Sequence, residues 1–191
     1  MTKDRESALA LLKQHNTEEM HVKHALAVEA AMRHFAVKYG EDPDAWGLVG
    51  LLHDIDWEET MADPQRHTEK AILWLREAGY PESVVRAVRS HAWGLLQEDV
   101  KPESSMEKVL YAIDELTGFV VAVALVRPSK SLGDMEGKSV KKKWKDKAFA
   151  RGVDRDVIAR GAELLGVSLD SLIEETIVAL RPVAKEIGLE G

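Results

Sequence analysis

The sequence predicts an all-α protein, a helical bundle of about seven to nine helices, on three observations. Apolar residues recur at helical spacing in nearly every segment. No segment alternates long enough for a strand, and no internal repeat is found. Glycine and proline punctuate the chain at intervals that leave short loops, so most consecutive helices should pack as antiparallel neighbours.

Residues 4–14 open the bundle with the stripe Ala8, Leu9, Leu11 and Leu12. Asn16, with Glu19 three residues on, reads as the N-cap of a long helix over 17–39. Its apolar set includes Met20, Ala27, Val28, Ala31, Met32 and Phe35, and Gly40 ends it. Pro43 starts the next helix, which runs to His53 through the apolar run 46–52. A polar loop over 56–64 follows, then a helix over 65–78 closed by Gly79. Tyr80-Pro81 turns the chain into a helix over 81–93 with Val84, Val85, Val88 and Ala92 inward. After a looser stretch at 94–104 comes the most apolar helix, 105–126, stopped by Pro128. Residues 129–147 differ in character, with Gly133, Gly137 and the lysine-rich run 138–147, which reads as a solvated helix face. Two helices close the chain, over 154–165 and from 168 or 169 to 187. The expected organisation is a single domain over 1–191, with a core at 17–128 and a helical extension at 129–191.

The chain has 191 residues, enough for a core that needs no covalent staples. It contains no cysteine, which excludes disulfides, thiolate nucleophiles, zinc fingers and iron–sulfur clusters and fits a reducing, cytoplasmic setting. The charged N-terminus, residues 1–7, does not read as a signal peptide, and the longest apolar run, 119–126, is too short to cross a bilayer. A net charge of −7 argues against general binding to nucleic-acid backbone. The composition is compatible with a homo-oligomer.

The polar residues with chemical content converge. His53 and Asp54 sit side by side where an apolar helix ends, and imidazole with carboxylate is a first-row metal pair. Of the 7 histidines, His24 shares a face with Ala27, Val28 and Ala31, and His91 continues the stripe of Val84 and Val88. His67 lies at the first turn after the acidic loop. Asp114 stands in the middle of the most apolar helix, where an unpaired carboxylate costs several kcal/mol. Any one of these is ordinarily a satisfied core polar residue. Several turned inward together point to a metal site.

The order His24, His53-Asp54, Asp114 resembles the HD superfamily of metal-dependent phosphohydrolases over roughly residues 17–128. The resemblance implies an all-α bundle and one ion held by His24, His53, Asp54 and Asp114. His67 and His91 resemble the two-metal subset, in which Asp54 would bridge and those two histidines would hold the second ion. Two departures stand out. Relatives often continue the doublet as Ile-Gly-Lys, where this chain has Ile55-Asp56-Trp57. Relatives that dephosphorylate nucleotides place a catalytic Glu where this chain has Trp57. Asp56 or Glu58 is the nearest substitute for moving protons. Gly79-Tyr80-Pro81 reads as a helix end and turn.

Phosphoester hydrolysis needs a nucleophilic water at neutral pH and cations on the phosphoryl oxygens, and a divalent pair ~3.5–4 Å apart supplies both. The thiolate-free donor set suits iron, manganese, nickel, cobalt or zinc, with magnesium also admitted. Lys70, Arg127 and Lys130 are the candidate cations for substrate phosphate, and Glu115 is expected to pair with a neighbouring cation. Trp57 and Trp93 are the candidate stacking surfaces. The expectation is a metal-dependent phosphohydrolase acting on a nucleotide or similar small phosphoester; the alternatives are a catalytically weak nucleotide-binding or signalling module, or oxidative chemistry on the same scaffold.

Overall fold

The computed structural model describes residues 3–191. Met1 and Thr2, part of the charged N-terminal run, lie outside the described residues. Nine helices of eight residues or more carry the fold: α1 (Arg5–His15), α2 (Glu19–Tyr39), α3 (Pro43–Leu52), α5 (Glu69–Glu77), α6 (Glu82–Ser90), α7 (Ser105–Leu125), α8 (Gly137–Trp144), α9 (Arg155–Leu165) and α10 (Leu169–Leu180). A single turn, α4 (Trp57–Thr60), and two 3-10 turns (Pro64–Arg66, Arg181–Val183) complete it, with no strand among the described residues. No helix there is long and apolar enough to cross a membrane.

Two long helices, α2 and α7, form the axis of one buried cluster that also takes side chains from α1, α3, α5, α6, α8, α9 and α10. The residues after 128 belong to that cluster through Leu132, Val140, Ile158, Leu172 and Ile177. Glycines set the closest helix crossings. A Cβ on Gly50 of α3 would stand 2.8 Å from Val28 O and 2.9 Å from the Glu29 backbone of α2. A Cβ on Gly161 of α9 would stand 2.5 Å from Ala112 Cα of α7. Only hydrogen fits at either place, so these backbones approach more closely than side chains would allow.

Several sequence expectations need correction at helix ends. Asn16 does not cap α2: it terminates α1, and its buried amide donates to Ile55 O at 2.8 Å. The cap of α2 comes from outside the helix. The Glu58 carboxylate accepts from Thr17 N (3.0 Å), Thr17 Oγ1 (3.1 Å) and Glu18 N (2.8 Å). The helix expected over 65–78 begins only at Glu69, because Thr68 takes φ +72, a left-handed conformation costly for a β-branched residue. The helix expected over 81–93 stops at Ser90, and the last one stops at Leu180 rather than Ile187, where Pro182 lacks the N–H that would continue it. Inside 129–147 the lysine run forms α8, with Val140 buried and Lys141 paired to Asp170 at 2.7 Å.

Candidate metal centre

The site lies where α2, α7 and the ends of α3 and α6 meet. His24 is one turn before Val28, and His53 follows Gly50 by three residues. The close crossing at Gly50 therefore brings these two imidazoles together, with ring centroids 5.2 Å apart. Asp114 reaches the same point from α7. His24 Nε2 is 3.0 Å and His53 Nε2 is 3.2 Å from Asp114 Oδ1.

Asp54 divides its two oxygens between two groups of candidate ligands. Oδ2 lies 3.4 Å from His53 Nε2 and 3.9 Å from His24 Nε2. Oδ1 lies 3.2 Å from His67 Nε2 and 3.4 Å from His91 Nε2. One group is thus His24, His53, Asp54 and Asp114; the other is Asp54, His67 and His91, with all donor atoms of each group within 4.8 Å of one another.

The outer nitrogens fix which way each ring presents its lone pair. Gly50 O and Val88 O can only accept, so His53 Nδ1 donates to the first at 2.8 Å and His91 Nδ1 to the second at 2.5 Å. His67 Nδ1 faces Asp56 Oδ1 at 3.0 Å. The three Nε2 atoms are left pointing into the site, which is the orientation that carbonyl or carboxylate partners impose on metal-binding histidines. His67 Nε2 and His91 Nε2 stand 3.0 Å apart. Two ligand nitrogens at ~2.1 Å from one ion and about 90° apart would be separated by roughly that distance. His53 Nε2 is buried with no hydrogen-bond partner. Lone pairs crowded against each other and against carboxylates need a cation, either protons or metal, and the residues present fit divalent ions.

Proton affinities follow the same electrostatics. Burial works against a charged His53, but Asp54 and Asp114 outweigh it and hold its pKa well above the usual imidazole value. For His67, burial is likewise overcome by Asp54 and Asp56, which raise it to about 9. Burial also opposes ionisation of Asp54 and Asp114, yet the imidazoles hold both well below the ordinary carboxylate range. Glu115 behaves oppositely: burial, then Asp114, pushes it up to about 8. It does not pair with a cation as expected; its carboxylate accepts from Asp154 N at 3.1 Å.

The remaining predicted site residues fall outside the centre. Asp56 is buried and receives three backbone N–H groups, from Thr68 (3.2 Å), Lys70 (3.1 Å) and Ala71 (3.0 Å). It caps α5 in place of Thr68, whose side chain makes no cap bond, and holds His67; it does not face the cavity described below. Glu58 is committed to capping α2 and to His21 Nδ1 at 2.9 Å. The expected phosphate cations are also elsewhere. Lys70 Nζ pairs with Glu59 at 2.5 Å, Arg127 is bound to both oxygens of Asp134 at 2.9 and 3.0 Å, and Lys130 is exposed on the following loop. None of the three lines the cavity.

A cavity of about 980 Å³ opens over the centre, lined by His24, Asp54, His67, His91 and Asp114 at its inner end and by Trp57 beside them. Trp93 is not in its wall; it stacks under Lys101 and Arg160. What sequence reasoning missed is the wall itself. Val121, Ala122 and Leu125 from α7, Leu95 and Leu96, and Val153 and Val157 at α9 are ordinary apolar residues by pattern. The one available signal was that α7 is apolar on every side, more than a helix with a single buried face requires.

A family model described as the HD domain matches residues 22–118, half of the chain, and that span contains all six clustered residues. No curated protein matches the chain.

Proposed function

The chain belongs to the HD domain family, a superfamily of metal-dependent phosphohydrolases, and from that premise we propose that it hydrolyses a small phosphoester at a two-ion centre. The observation that carries this reading is the division of Asp54, one oxygen to each ligand group. A carboxylate placed so would serve both ions of a two-metal phosphohydrolase site. Divalent ions held there would neutralise charge on the phosphoryl oxygens and lower the pKa of the attacking water. His24, His53 and Asp114 would hold one and His67 and His91 the other; nitrogen and oxygen donors without thiolate suit iron, manganese, nickel, cobalt or zinc.

The chain's own residues supply orientation and exclusion. The Gly50 and Val88 carbonyls keep the His53 and His91 imidazoles in the tautomer that presents Nε2 inward, and the Asp56 carboxylate stands 3.0 Å from His67 Nδ1. Trp57, edge-on to His67 at 5.1 Å, shields the second group. Asp54 and Asp114 open onto the cavity, so a phosphate can reach the centre from there. The test is phosphate release from a panel of phosphomonoesters and phosphodiesters, nucleotides included, by protein stripped with chelator and reloaded with manganese, iron or zinc. The expected result is turnover by wild type only when loaded, lost in His53→Ala. Metal uptake without any turnover would leave a binding module instead.

A further inference from the structure

The cavity over the centre is unlike one built for a polyphosphate. It runs from the metal ligands along one face of α7. Asp114, Gly118, Val121, Ala122 and Leu125 line it at spacings of four, three, one and three residues, a single helical stripe. Eleven residues separate Asp114 from Leu125, about 16 Å of wall at ~1.5 Å per residue. Glycine and alanine at 118 and 122 keep the near part of that wall low, and a Cβ built on Gly118 would meet nothing within 4 Å. Leu95, Val153 and Val157 add apolar wall from outside α7. At the mouth Met20, Leu95 and Leu125 stand 74 %, 40 % and 50 % exposed, an apolar rim that water does not favour.

Charge points the same way. Among the described residues of the wall there is no arginine, and Lys23 is the one lysine, already paired with Glu19 at 2.7 Å. Glu18, Glu19 and Glu115 are also in the wall. Within this wall a second phosphate next to the ions would meet carboxylates and hydrocarbon; further cations, Lys147, Arg151 and Arg155, line the adjoining pocket beyond Leu95, Gly152 and Val153. We infer that the phosphoester this site takes carries one phosphate on an extended apolar group, which lies along α7 from Asp114 toward Leu125. This rests on the phosphohydrolase reading for its chemistry. Water's oxygen bonds to phosphorus, the bond from phosphorus to the ester oxygen breaks, and the apolar alcohol leaves with a proton while inorganic phosphate remains. It rests on the cavity alone for its binding.

The experiment separates the two. Butyl-, octyl- and dodecylphosphonate, which are not hydrolysed, are titrated calorimetrically into manganese-loaded protein below their micelle concentrations, with AMP and ADP alongside. Affinity is expected to climb about fourfold per methylene, corresponding to ~0.8 kcal/mol for burying each CH₂, so roughly 250-fold from butyl to octyl. ADP should bind no better than AMP. Gly118→Leu, which improves helix propensity and fills open space, should fold with an unchanged or raised Tm and flatten the ladder. An affinity independent of chain length, or a ladder as steep in Gly118→Leu, overturns the inference. Phosphate release from butyl phosphate is measured in parallel. Turnover with a flat ladder leaves the hydrolase reading standing without this inference, and a steep ladder without turnover does the reverse.

Discussion

The two halves of the candidate metal centre are built by different means. His24, His53 and Asp114 stand on or at the ends of helices α2, α3 and α7, and their meeting is fixed by backbone crossing at Gly50. His67 stands between a 3-10 turn and α5, next to the strained Thr68, and its position depends on one buried carboxylate, Asp56. The first half is framed by packed helices, which yield only if helices move. The second takes His91 from the end of α6, where it bonds Val88 O, but takes His67 from a hydrogen-bonded connection, which a single side chain can undo. Asp54 joins them.

The largest effect is expected at that joint. Asp54→Asn removes the charge both groups share, so both ions and all metal-dependent turnover should be lost while helix content by circular dichroism persists; elemental analysis showing one retained ion would mean the halves bind independently. Asp56→Ala should act on one half only. The second ion's affinity is expected to fall ~10–100-fold, the usual cost of removing a carboxylate behind a ligating histidine. Loss of the α5 cap should also cost about 1 kcal/mol in denaturant unfolding. Equal loss of both ions would mean that Asp56 supports both groups alike. Gly50→Ala probes the other half: forcing a methyl against the α2 backbone should cost ~1–3 kcal/mol. It should also weaken the His24–His53–Asp114 ion more than its neighbour, as read by competitive titration with a chelator.

The pH dependence sharpens the same comparison. In metal-free protein His67 keeps its proton to about pH 9, against an ordinary 6.5. That charged pairing stabilises the metal-free fold fully below pH 6.5 and fades as pH rises through about 9. The ion must displace the proton, so affinity for the second ion should rise through neutrality and level off near pH 9, with proton release at pH 7 measurable in buffers of different ionisation enthalpy. Asp56→Asn should move the plateau to lower pH. The smallest effect is expected at Glu58, outside the two groups. Burial opposes ionisation of Glu58, but the Thr17 and Glu18 N–H groups and His21 lower its pKa from 4.5 to about 2. Its contribution is therefore present above pH 4.5 and lost as pH falls toward 2, so the Tm gap between wild type and Glu58→Gln should close over that range.

How much of this could be read from residue order depends on whether a residue is carried by a helix or by a connection. The helix-borne ligands sit in apolar stripes, so periodicity alone turned His24, His91 and Asp114 inward, and the apolar run before His53-Asp54 marked the doublet. The bundle followed from the same periodicity. Asp56 and Glu58 looked like members of one acidic loop, yet one caps α5 and the other α2; nothing in their spacing separates those roles from proton transfer. Lys70 looked aimed at the site because it lies one turn after His67, which assumed a helix that Thr68 interrupts. Arg127 was near in sequence but is held by Asp134. The apolar wall along α7 escaped notice because a residue facing a cavity and one facing the core obey the same pattern.

Two ions flanking Asp54 are the arrangement on which the hydrolytic chemistry would depend. Anomalous X-ray scattering from crystals of manganese- or iron-loaded protein, collected above and below the metal edge, reads that arrangement without reference to substrate. Two peaks roughly 3.5–4 Å apart, one beside Asp114 and one between His67 and His91, are the expected result. A single peak, or two peaks that do not share Asp54, would contradict it.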